Sequence, residues 1–157
     1  MIRALSIFIL GSAATFSADP PILPLGVCEV LRDLPALEGK NVAVIGRYSF
    51  RETGRWVGEQ SCAPPVTVPP QLWLLEDSKG GPKPPENFEL DGVALNRKFA
   101  ELQRRAPLGK FRFGTSDYDR WAVIYGRVES RKGEDAKKSA ANLIIRGDGV
   151  IIVLTPE

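Results

Sequence analysis

Histidine is absent from this sequence and methionine occurs only as Met1. Without an imidazole there is no histidine general base, no Ser-His or Cys-His nucleophile pair and no histidine-ligated metal site. No metal ligand set and no cofactor motif is expected, and most hydrolytic chemistries are excluded. Charge is nearly balanced as well: 21 Lys and Arg stand against 19 Asp and Glu. That balance gives no broad attraction toward nucleic acid or an anionic membrane. At 157 residues, 43% of them hydrophobic, the chain can bury one core and is too short to suggest two domains.

What is present begins with an apolar opening. Met1-Ile2-Arg3 places one positive charge ahead of an apolar run over residues 4–16, followed by small residues and Asp19-Pro20-Pro21. This is the layout of a secretory signal peptide, and the run is short for a membrane-spanning helix. Cleavage after Ser17 puts Thr15 and Ser17 at the two small-residue positions, whereas cleavage after Ala18 would place Phe16 third from the cut. An uncleaved anchor or a buried first helix is the alternative. The segment Leu25-Gly26-Val27-Cys28 is not a lipoprotein signal, because Val27 stands where a small residue is required and Cys28 lies well past the apolar run. Periplasmic or extracellular residence is expected, with no stable membrane span after cleavage.

Cys28 and Cys62 are the only cysteines. In an oxidising compartment an even count of two reads as one disulfide, tying the first helix to the second strand. In the chain-entropy view it would stabilise the fold by about 3–4 kcal/mol. A pair of free thiols is the alternative and belongs with a cytosolic location.

The assigned organisation is a signal peptide over residues 1–17, an extended lead-in over 18–26 and one domain over 27–157. Residues 27–34 form a short helix with Val27, Val30, Leu31 and Leu34 on one face, stopped by Pro35. Residues 41–50 are β-rich, with Val42, Val44, Tyr48 and Phe50 on one face and Gly46 marking a bulge or bend. Glu52-Thr53-Gly54 turns into a second strand over 55–60, and a proline-rich stretch over 63–70 precedes a third strand over 71–76. Asp91 caps a helix whose Leu95, Phe99, Leu102 and Ala106 share a face, ended by Pro107. A fourth strand covers 121–131, and the apolar run over 143–154, interrupted by Gly147-Asp148-Gly149, is one bent strand or a tight hairpin. Three strands, a helix and two strands is the order of the five-stranded OB barrel, here mainly β with an extra N-terminal helix.

Several short segments carry a resemblance: Cys28-Glu29-Val30-Leu31, Leu37-Glu38-Gly39-Lys40, the strand through Gly46-Arg47, Cys62 after the next strand, and the later Gly126-Arg127 with Glu129-Ser130-Arg131. Together they resemble a group of exported bacterial proteins with a small OB-like β-barrel domain. Where members of that group have a Gly- and His-containing stretch before the last strand, this chain has Gly133-Glu134-Asp135-Ala136-Lys137-Lys138. The resemblance implies a fold and export; it implies no activity and no catalytic residues.

OB barrels bind ligands across strands two and three, between the loops joining strands one to two and four to five. In this chain that zone holds Arg51, Arg55, Trp56, Trp73 and the loop over residues 132–138. Rings beside guanidinium groups suit a single-stranded nucleic acid or a sugar; alternatively Trp56 and Trp73 are core. Arg97, Lys98, Arg104 and Arg105 lie opposite the helix's apolar face and read as a solvated surface. Asp117 and Asp119 flank Tyr118 without a third ligand and read as turn or strand-edge residues, and Arg146-Gly147-Asp148 reads as a turn. The expected function is a non-enzymatic exported binding or structural module of the cell envelope, with a protein, peptide or glycan partner. An OB-type nucleic-acid-binding domain is the alternative, and an enzyme using Asp117 or Glu59 is a third, lesser reading.

Overall fold

A computed structural model describes residues 19–106, 118–147 and 151–154. The signal peptide expected over residues 1–17 lies outside the described residues, as do Pro107, Asp117 and Asp148. In chain order the elements are β1 (Leu25–Gly26), α1 (Val27–Arg32), α2 (Leu34–Leu37), β2 (Asn41–Arg51), β3 (Gly54–Gly58), β4 (Gln71–Glu76), α3 (Gly92–Arg105), β5 (Tyr118–Ser130), a 3-10 turn (Gly133–Lys137), β6 (Ala141–Ile145) and β7 (Ile151–Leu154).

The sheet runs β1-β2-β3-β4-β6-β5-β7, and an additional β2–β5 pairing closes β2, β3, β4, β6 and β5 into a five-stranded barrel. All neighbours in the ring are antiparallel except β4 and β6, which run parallel, with Leu72 opposite Ala141 and Glu76 opposite Ile145. Three strands, a helix, and a fifth strand returning parallel beside the third give the OB-like arrangement. The barrel has the N-terminal helix in addition.

Two local features let the ring close. Gly46 stands where one edge of β2 changes partner, from β1 at Val44 and Ile45 to β3 from Arg47 onward. A Cβ there would lie 2.8 Å from both the Gly58 carbonyl oxygen and Val57 Cγ2, so any larger residue would push β2 and β3 apart. The second feature settles the final apolar run. β6 lies opposite residues 127–130 of β5 and β7 opposite residues 121–124, both antiparallel to it. They are therefore one strand interrupted near Gly147, whose φ is +64°; a hairpin would have paired them with each other.

Alternation along the strands fills the barrel with Val42, Val44, Tyr48, Val57, Leu72, Leu74, Ile124, Val128, Leu143 and Ile145, all buried. Phe50 continues the same face of β2 to the barrel's end, where it is exposed. Outside the barrel, α3 starts at Asp91, whose carboxylate accepts from Ala94 N at 3.0 Å. Phe99 then meets Trp121 edge to face, with ring centroids 6.0 Å apart.

The first helix ends earlier than proline placement suggests. α1 stops at Arg32, and Pro35 falls within the first turn of the separate α2, where its missing N–H would have had no partner anyway. Cys28 and Cys62 are disulfide-bonded, with Cα atoms 5.5 Å apart. The bond joins α1 to the loop that leaves β3, just past the strand itself.

Candidate binding face and charged cleft

Trp56 and Trp73 are direct register partners on β3 and β4. Val57 and Leu72, the next pair along, point into the barrel, so both indoles project from the outer face. Their rings lie 5.4 Å apart and tilted by 42°. Both are half-buried, whereas Trp121 on β5 is 3% exposed. Arg51 Cζ lies 5.7 Å from the Trp56 ring and Arg131 Cζ lies 5.7 Å from the Trp73 ring. The result is a column, Arg51–Trp56–Trp73–Arg131, in which cations bracket an aromatic pair. Gly54 makes room for it: its φ is +143°, and a Cβ there would fall 2.3 Å from Trp73 Cζ3. The indole of Trp73 is thus seated on the backbone of β3.

Of the residues singled out from sequence, Arg51, Trp56 and Trp73 come together in this column. Arg55 does not join them. It precedes Trp56 on the strand, so its side chain leaves from the opposite face, and it pairs with Glu76 at 3.1 Å. Arg131, Asp119 and Asn142 belong to the face and were not singled out for it. Asp119 gathers Arg51 at 2.8 Å and the Ser49 hydroxyl, a bracing role in keeping with a strand-edge residue.

Beside Trp73 lies an open groove of about 540 Å³. Trp73, Leu75 and Asn142 form its floor; Ser130, Arg131, Lys132 and Asp135 form its wall. The wall loop is tied down at its far end. Buried Ser139 donates to the Gln71 carbonyl at 2.8 Å, and Gln71 Nε2 donates to the Lys138 carbonyl at 2.9 Å. Leu75 is 46% exposed. Trp73 Nε1, Arg131 Nη1 and Asn142 Oδ1 are each buried without a hydrogen-bond partner. These atoms are covered by the residues around them, as are Arg47 Nε and Trp121 Nε1 elsewhere, so the groove's accessible polar surface is that of Ser130, Lys132 and Asp135.

The arginines around this face are neutralised locally: Arg51 by Asp119, Arg131 by Asp135 at 3.4 Å, and Arg127 by Glu129 at 2.9 Å. A phosphate track needs cations that are not already matched.

A second hollow, of about 210 Å³, lies between α1, α3 and the end of β3. Glu59 is at its base and accepts from Cys28 N at 3.0 Å. Burial pushes its carboxyl above the ordinary 4.5, against the Cys28 N–H and the charge of Arg105, with Glu29 and Glu101 adding to the rise. Glu29 goes the other way. Burial would raise it, but the Lys98 ammonium and the Gly26 N–H, both hydrogen-bonded to it, bring it below 4.5. Lys98 and Arg105, two members of the basic helix surface, are held by Glu29 and Glu101. Among the described residues no group of three or more carboxylate or cysteine ligands could hold a metal ion, and no helix is long and apolar enough to cross a membrane.

Compared with family models, curated proteins and solved structures, the chain matches none of them.

Proposed function

We propose that this chain is a non-enzymatic, exported binding module of the cell envelope, and that its partner is a protein or peptide segment held in the groove beside Trp73. The groove carries this reading. An exposed aliphatic side chain, Leu75, sits beside a polar and charged wall of Ser130, Lys132 and Asp135, which is the mixture a peptide segment presents in return. Sugar stacking is less favoured because Gly54 and Arg131 already lie against Trp73. A nucleic acid is less favoured because the arginines are paired with carboxylates. Export is supported by the Cys28–Cys62 disulfide and by the charged-then-apolar opening of the sequence. Kinship with exported OB-like bacterial proteins belongs to the same proposal and rests on the segments around the two cysteines.

The test places a photo-crosslinking residue at position 75 and, as a control, at exposed Val93 on α3, in protein expressed in its native envelope. A discrete, protease-sensitive adduct at 75 and none at 93 is the expected result. Adducts at neither position, together with oligonucleotide binding that falls steeply with salt, would replace this reading with the nucleic-acid one.

A further inference from the structure

The cleft between α1, α3 and the end of β3 is lined by six charged side chains. Four of its charges are settled in pairs, Glu29 with Lys98 and Glu101 with Arg105. Two are not. Glu59 takes one hydrogen bond, from Cys28 N, and among the described residues no cation lies within ion-pair distance of it. Arg32 donates to the Ala63 carbonyl at 2.9 Å, and among the described residues no carboxylate lies within ion-pair distance of it. Both line the same hollow. Glu59 is anchored at the Cys28 end of α1, and Arg32 stands four residues further along that helix.

We propose that this cleft is a binding site for a small zwitterion, its ammonium on Glu59 and its carboxylate on Arg32. An unmatched carboxylate that is partly withdrawn from water is costly, and an ammonium donating to it relieves that cost. A guanidinium edge offers paired donors to a carboxylate. A hollow of about 210 Å³ admits a molecule the size of an amino acid. Gly26 keeps the Glu59 end open to the carboxylate, since a Cβ there would lie 2.8 Å from Glu59 Oε1.

The probes are 4-aminobutanoate and its two halves, n-butylammonium and butanoate, titrated calorimetrically into the full chain at low ionic strength. The zwitterion is expected to bind at least tenfold more tightly than either half. E59Q keeps an acceptor for Cys28 N and is expected to reduce zwitterion binding at least tenfold, leaving butanoate unaffected. R32Q does the converse, weakening the zwitterion and butanoate but not butylammonium. R32Q changes an exposed side chain, so it carries the test alone if E59Q does not fold. A zwitterion that binds no better than its halves, or that binds R32Q as it binds the unaltered protein, overturns the proposal.

Discussion

On the outer face of β3 and β4 the arginines are spent on internal structure, Arg51 on Asp119 and Trp56, Arg131 on Asp135 and Trp73. In the cleft under α1 and α3, Glu59 and Arg32 lie near several charges and are matched by none of them. The difference follows from how each region is built. The face is a set of neighbouring strands whose register brings partners together pair by pair, as Trp56 is brought to Trp73. The cleft is assembled from two helices and a strand end, held together by the disulfide, a few side-chain bonds and the packing of Val27, Val30 and Leu102 into the core. A surface braced from within offers shape and apolar contact to a partner, whereas a hollow with charge left over offers a reason to bind a charged one.

The largest expected effect separates the two regions mechanically. The Cys28–Cys62 bond spans 34 residues of sequence and holds α1, one wall of the cleft, to the loop leaving β3. Replacing both cysteines (C28A/C62A) is expected to lower unfolding stability by about 3–4 kcal/mol, read from urea denaturation. The near-ultraviolet signal of the coupled Trp56 and Trp73 should persist in the native baseline, because the column depends on barrel register. Loss of that signal under native conditions would show that face and cleft are one cooperative unit.

A smaller effect is expected on the outer face of β3 and β4. G54A puts a methyl group where the Trp73 indole lies and places alanine at a positive φ that L side chains rarely adopt. A cost of about 1–3 kcal/mol is expected. Unlike the disulfide variant, G54A should alter the tryptophan signal in the folded state, as Trp73 shifts away from β3 and from Arg131. An unchanged spectrum would mean that the column does not depend on its seat.

Much of the barrel was legible because strand alternation and turn chemistry are local. The third barrel strand over 71–76 and the Asp91 cap could be read from neighbouring residues alone. The final apolar run could not, since Gly147-Asp148-Gly149 suits a hairpin turn and an interruption equally; only pairing with β5 decides between them. The site was less legible for the same reason. Arg55 beside Trp56 looks like part of one cluster, yet the period of two sends it to the opposite face. Asn142 and Arg131 reach Trp73 through the parallel β4–β6 pairing and the loop before β6, a contact with no local signal. The cleft draws on residues near 29, 59, 98 and 105, and nothing in their spacing announces a hollow.

The smallest effect concerns the two glutamates of the cleft, whose pH dependences have opposite signs. Glu59 faces the Cys28 N–H, Arg105, Glu29 and Glu101, and its carboxyl lies above the ordinary 4.5 when folded. Between 4.5 and the raised value the folded state holds more protons at this site than the unfolded chain, so stability contributed here is present at low pH and is lost as pH rises through that window. Glu29, held below 4.5 chiefly through Lys98 and Gly26 despite its burial, contributes stability above 4.5 that is lost as pH falls through its lowered value. Urea denaturation of E59Q and E29Q beside the unaltered protein, from pH 3 upward, separates them. The stability difference relative to E59Q should move against the unaltered protein as pH climbs past 4.5 and then level off, whereas the difference relative to E29Q should move in its favour as pH climbs from the lowered value toward 4.5 and be level above it. Should the unaltered protein and E59Q run parallel across the whole range, Glu59 would be solvated like a surface carboxylate, and the contrast between a settled face and an unsettled cleft would lose its electrostatic basis.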